Sequence, residues 1–142
     1  MQQLHLFKGK KQRGVKLPPA PEFNLHVMVA DTLARWCTRG WLYTHIPTGE
    51  YRGDRERAKI TGARLKRMGT KKGWADFILL SPRPSATHFL ELKRKGGKLS
   101  EPQLEFAAWC TDNGVEYAVC DNYRAVLDKL RDWGAVRATV SA

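Results

Sequence analysis

The chain has 142 residues, 42% of them hydrophobic, with 25 Lys and Arg against 14 Asp and Glu, a formal net charge of +11 and a pI near 9.9. This length and apolar fraction suit one compact domain with a modest core, and the positive excess predicts a polyanionic partner. Three cysteines, Cys37, Cys110 and Cys120, form an odd set without Cys-x-x-Cys spacing, which argues against a disulfide framework or a zinc ribbon and for reduced, mostly buried thiols.

The chain opens with Lys8, Lys10, Lys11, Arg13 and Lys16 and no acid, followed by Pro18, Pro19 and Pro21. Residues 1–21 therefore read as a basic arm without a core of its own. No apolar h-region marks a secretory signal, and no apolar run nears the ~18 residues of a membrane span, so a soluble, cytoplasmic protein without a membrane partner is expected. From Glu22, the residues Leu25, Met28, Val29, Leu33 and Trp36 recur at helical spacing and stop before Gly40, which predicts a first helix over about 22–38. "GWLYTHIPTGEY" reads as a short strand running into a loop. Between Arg52 and Lys72 stand Arg52, Arg55, Arg57, Lys59, Arg64, Lys66, Arg67, Lys71 and Lys72 against only Asp54 and Glu56, and part of this stretch is a basic helix ending near Gly69.

Next come "DFILL" and "THFLEL", separated by the turn-forming "SPRPSA", which makes a hairpin. A helix follows from Ser100 to near Gly114, then the strand "VEYAVC" and a last helix over "YRAVLDKLRDWG". The order α-β-α-β-β-α-β-α places the chain in the α/β class, as a mixed β-sheet flanked by helices.

In a hairpin the start of the first strand lies beside the end of the second, so Asp76 and Glu91 converge at one end of the sheet. Lys93 lies two residues beyond Glu91 and shares its face. Two carboxylates are hard oxygen donors suited to Mg²⁺, with Mn²⁺ a ready substitute, and such an ion beside a phosphodiester supports hydrolysis. Lys93 would orient the nucleophile or stabilise the pentacovalent phosphate. A Glu-x-Lys alone is a chance pattern in many strands. The combination with Asp76, two apolar runs and a basic flank points to a nuclease site.

The blocks "MGTKKGWADFILL", "HFLELKRKGGKLSEPQLEFAAW" and "NGVEYAVC" resemble, in the expected order, the motifs of the VRR-NUC branch of the PD-(D/E)-x-K nucleases. The resemblance covers about Glu22 to Gly134 and implies a restriction-endonuclease-like core over residues 22–135, with 136–142 a short tail. It also implies that Asp76 and Glu91 are metal ligands, that the Leu92 backbone carbonyl is a further ligand, that Lys93 is the catalytic lysine and that Gln103 supports the site. The family usually has Pro where this chain has Ala75; the Pro only shapes the turn, so activity is expected to survive the change. The superfamily also commonly brings an acid from its first helix, where Glu22 and Asp31 compete. At about 100° per residue Glu22 falls about 40° from the centre of the apolar stripe and Asp31 about 140°. Glu22 faces inward, and a first-turn acid favoured by the helix dipole is its plainer reading. His26, one turn after Glu22, is a candidate to approach the site, a lone flanking His being more often structural.

Two readings of Gln103 stand side by side. "SEPQ" fits a capping box in which the Gln side chain returns to the Ser100 backbone N–H, while Gln103 shares a helical face with Phe106, Ala107 and Cys110, directed at the sheet. The five basic residues of the arm, the nine from Arg52 to Lys72, and Lys93, Arg94, Lys95 and Lys98 read together as a phosphate-tracking groove. Trp41, Tyr43, Tyr51 and Trp74 are candidates for stacking on bases, with core packing the commoner use. The resulting expectation is a Mg²⁺-dependent endonuclease on DNA, selective for structure more than sequence. A homodimeric Holliday-junction resolvase acting in repair or recombination is an alternative within the same chemistry, and a non-catalytic basic DNA-binding protein one from another class.

Overall fold

The computed structural model describes residues 21–47 and 55–138. The elements run α1 (Pro21–Trp36), β1 (Leu42–His45), α2 (Arg55–Arg67), β2 (Phe77–Leu80), β3 (Thr87–Leu92), α3 (Glu101–Asp112), β4 (Glu116–Cys120) and α4 (Tyr123–Trp133). The expected order is met element by element. Pro21, expected to close the arm, is instead the first residue of α1. Proline is well suited to that place, because its missing N–H is one that the first turn leaves unbonded anyway. At the other end α1 stops at Trp36, because Cys37 pairs with Val136 in an isolated antiparallel bridge.

The strands form one sheet in the order β1-β2-β3-β4. β1 and β2 pair antiparallel, as do β2 and β3, and the "SPRPSA" turn is closed by Ser81, whose N–H donates to the Ala86 carbonyl at 3.0 Å. β4 lies parallel to β3, with α3 as the crossover that a parallel pair requires. Helices α1 and α4 cover one face with the larger core: Val29, Leu33, Phe77, Leu79, Leu90, Leu92, Val126, Leu127 and Leu130 are all buried there. On the other face a smaller cluster of Ala75, Phe89 and Cys110, flanked by Ile78, Phe106 and Tyr117, gathers with α3.

The apolar stripe of α1 is narrower than its sequence suggests. Leu25, Val29 and Leu33 are buried, but Met28 and Trp36 are 45% and 53% exposed. Thr32 is buried in their stead, its hydroxyl donating to the Met28 carbonyl at 2.8 Å and lying 2.7 Å from the Tyr123 hydroxyl of α4. A polar side chain that finds two partners can occupy a helix contact that an apolar one would otherwise fill. The core also runs past the expected boundary at residue 135, since Ala135 and Val136 are both buried.

Leu33→Ala is expected to destabilise the fold by about 2–5 kcal/mol through the cavity it leaves, whereas Met28→Ala should stay within about 0.5 kcal/mol. Urea unfolding of the two variants separates the buried stripe from its exposed margin.

Candidate active site

The register of the hairpin builds the site. Phe77 pairs with Leu90, so one residue outward Asp76 comes opposite Glu91. The Leu92 N–H then donates to Asp76 Oδ2 at 2.7 Å, tying the first acid to the strand that carries the second. Asp76 is held through its backbone as well: its carbonyl accepts from the Ile46 N–H at 2.7 Å and from His45 Nδ1 at 2.8 Å. A carbonyl only accepts, so that contact fixes the proton on His45 Nδ1. Just upstream, Gly73 adopts φ +90°, and a Cβ there would run into the Pro102 carbonyl of α3. Glycine lets the approach to Asp76 lie directly against the start of α3.

Glu91 is 2% exposed. Its Oε1 receives Lys93 Nζ at 3.0 Å and Gln103 Nε2 at 2.7 Å, while Oε2 is buried with no hydrogen-bond partner among the described residues. The two readings of Gln103 prove to be one arrangement. Its Oε1 accepts the Ser100 N–H at 2.9 Å at the start of α3, and its Nε2 reaches Glu91. Capping thus orients the amide toward the sheet.

The carboxylates strain against one another. Burial raises Glu91 to about 7, and the Asp76 and Glu22 charges push the same way against the hydrogen bond and charge of Lys93. Asp76 is raised as well, first by burial and then by Glu22, against the Leu92 N–H, His26 and Lys93. Glu22 therefore acts on both acids from the half-buried side of α1, while Asp31 is exposed. His26 packs edge-on to His45 at 4.3 Å and beside Phe77 at 4.6 Å, which brings it to the Asp76 end of the sheet.

Two neighbours were not foreseen from the sequence. His45 stands opposite Phe77 in the β1–β2 register, next to Asp76. Tyr117 pairs with Phe89 and so shares the face of Glu91; its hydroxyl is buried without a partner among the described residues. Burial and the nearby Glu91 charge raise that hydroxyl's pKa. Finding Tyr117 required the parallel register of β3 and β4, which the period-two pattern of either strand alone does not contain.

The donors available to a metal are Asp76, the open Oε2 of Glu91 and the carbonyl of Leu92, all hard oxygens. No group of three or more His, Cys, Asp and Glu side chains forms a metal cage among the described residues. Carboxylate and carbonyl oxygens are the donors Mg²⁺ prefers, unlike the thiolate and imidazole shell of structural zinc. Of the basic residues, Arg57, Lys59, Arg64, Lys66, Arg67, Lys71, Lys72, Arg94, Lys95 and Lys98 are exposed; Arg52, Tyr51, the side chain of Arg55 and the basic residues before Pro21 lie outside the described residues.

Glu91 gives a pH dependence with a definite sign. Its carboxyl titrates near 4.5 when unfolded and about 7 when folded, so between those values the folded state binds the extra proton. Stability in EDTA is therefore fullest below about pH 4.5 on this account and is lost as pH rises through about 7. Glu91→Gln should flatten that fall. Thermal unfolding at pH 5 and pH 8 reads it, and a wild-type midpoint higher at pH 8, with the variant unchanged from it, would contradict the assignment.

Against protein-family models, residues 50–122 match the VRR-NUC domain. The matched span runs from α2 through β4 and takes in Asp76, Glu91, Lys93 and Gln103, leaving α1 with Glu22 and α4 outside it. Comparison with curated proteins and with solved structures gave no significant match. With just over half of its length matched, around a mixed sheet that brings the motif acids together, the chain belongs to the VRR-NUC family of nuclease domains.

Proposed function

We propose that the protein is a Mg²⁺-dependent endonuclease that hydrolyses DNA phosphodiester bonds and selects its substrate by structure more than by sequence. The observation that carries this reading is the asymmetry at Glu91, where Lys93 and Gln103 both bind Oε1 and leave a buried Oε2 beside Asp76. Most buried side-chain oxygens find a partner, so an unpartnered carboxylate oxygen next to a second acid supports a cation site there. A cation held by Asp76, Glu91 and the Leu92 carbonyl would supply Lewis acidity toward the phosphodiester and the attacking water.

The remaining work falls to the side chains. The Leu92 N–H holds Asp76 in place, and Gln103 holds Glu91 by the end of its amide not used in capping. Lys93 brings a positive charge to the rim of the acids, where it can orient the nucleophile and donate to the extra negative charge of the pentacovalent phosphate. Glu22 adds charge to the same pocket and helps to hold a cation there. The exposed basic residues on α2 and around Lys71, Lys72, Arg94, Lys95 and Lys98 track the phosphate backbone.

Supercoiled plasmid and a four-way junction, each incubated with Mg²⁺, Mn²⁺, Ca²⁺ or EDTA, test the assignment. Mg²⁺ and Mn²⁺ should support cutting, and Ca²⁺ binding with little cutting. Preferred, paired cuts in the junction by a sedimenting dimer would specify a resolvase, and tight binding without cutting under any metal would make the protein a non-catalytic binder. Asp76→Ala, Glu91→Ala and Lys93→Ala should each lower cleavage by about a hundredfold or more while binding persists, because they act mainly in the transition state. Wild-type-like cutting by either carboxylate variant would sink the nuclease mechanism at this site.

Two further outcomes bear on the supporting residues. Glu22→Gln should raise the Mg²⁺ concentration needed for half-maximal rate in a folded protein, and an unchanged titration would leave Glu22 to the helix dipole alone. Binding should weaken with salt by a slope of about −0.9 per neutralised phosphate, and reversing Arg64, Lys66 and Arg67 together should flatten it. A slope untouched by that triple variant would remove α2 from the DNA path.

A further inference from the structure

Beside the acids, on the α3 face of the sheet, lies an open cavity of about 420 Å³ lined by Trp74, Thr87, Phe89, Phe106, Trp109 and Val115. Its rings brace one another: Trp74 tilts against Phe106 at 4.9 Å, and Phe89 stands edge-on to Phe106 at 4.9 Å and to Trp74 at 5.8 Å. Trp74 and Trp109 are nevertheless 41% and 56% exposed, and among the described residues Trp109 is in none of these ring pairs. Core packing accounts for Phe89 and Phe106. It does not account for two large indoles left open at the mouth of a cavity.

The position of this cavity follows from the same three elements that make the site. Trp74 precedes Asp76 by two residues, Phe89 precedes Glu91 by two on one face of β3, and Phe106 follows Gln103 by one turn of α3. Two residues along a strand are about 7 Å, so the near wall of the cavity, at Phe89, is one step along β3 from Glu91, while Thr87 and Trp109 carry the cavity away from the acids. Lys71 and Lys72, three and two residues before Trp74 in the chain, are exposed. Aromatic faces beside cations are the chemistry that holds a nucleic-acid strand by its bases.

We propose that this pocket takes an unstacked nucleobase of the strand being cut, so that the substrate carries an unpaired nucleotide beside the scissile phosphate. The inference rests on the nuclease reading of the neighbouring site and makes that reading specific. A base already stacked in continuous duplex presents only its edges, whereas a base freed at a junction, flap or single strand presents a face to Trp109.

The test keeps the phosphates and removes the bases. Binding of the full chain to oligodeoxythymidylate and to an abasic oligomer of the same length is measured by fluorescence anisotropy in EDTA, so that no cleavage is needed for the readout. Wild type should bind the base-bearing strand about tenfold or more tightly. Trp109→Ala should lose most of that margin while its affinity for the abasic strand stays as in wild type, and Trp109→Tyr should restore it. Equal binding of the two strands by wild type, or a Trp109→Ala loss shared equally by both, would overturn the pocket. Failure of plasmid and junction cleavage would instead count against the catalytic assignment, and the two results are read separately.

Discussion

A carboxylate placed inside a sheet is the constraint on which the rest of this structure turns. Glu91 is 2% exposed, and an ionised group so buried is tolerated only where it is paired and hydrogen-bonded. Lys93 supplies the charge from two residues along the same strand face, and Gln103 supplies a hydrogen bond from another element. That second contact fixes where α3 begins, since the same amide accepts from Ser100. It also fixes the approach to Asp76, because Gly73 lies against Pro102 in the first turn of α3. One buried glutamate thereby ties together β3, the start of α3 and the loop before β2. Asp76 and Glu22 then add negative charge to a place that already disfavours it. Such an arrangement disfavours the ionised form of both acids, and carboxyls perturbed in this way cluster at functional sites.

Much of this was legible because the chain is strongly punctuated. Gly40, Gly69, Gly114 and Gly134 end or follow elements, and the apolar runs of β2, β3 and β4 stand out between them, so the element order could be read directly. Asp76, Glu91 and Lys93 were legible from strand periodicity and hairpin geometry, which are local rules. What depended on tertiary partners was not. The exposure of Met28 and Trp36 follows from where α4 meets α1, and Thr32 is buried only because Tyr123 offers it a hydroxyl. The double use of Gln103 was open in the sequence for the same reason: each of its two amide ends had a plausible partner, and only the placement of α3 over Glu91 lets both be satisfied at once.

The two faces of the sheet are unequal, and the inequality has a physical logic. The α1 and α4 face carries the larger core, built from branched aliphatic side chains that exclude water and fix the strands. The smaller cluster on the α3 face has Ala75, Phe89 and Cys110 as its buried members, with Ile46, Ile78, Phe106, Val115 and Tyr117 partly buried around them. Stability is thus concentrated on the face of the sheet opposite Glu91. The side that holds Glu91, Tyr117 and the open indoles is freed from dense packing by the rigidity of the other.

Charge is layered in the same sense, acidic within and basic without. A polyanion brought directly to Asp76, Glu91 and Glu22 would be repelled by all three. Its approach is favoured instead by the exposed lysines and arginines, whose long-range attraction acts before any contact with the acids is made. Lys93 stands at the boundary, bound to Glu91 and partly exposed. On the proposed reading the outer charge would attract the backbone and the inner charge would hold a cation, and Lys93 is the basic side chain that reaches in among the acids. A net charge of +11 on a chain whose candidate site is acidic is the form this layering takes in composition.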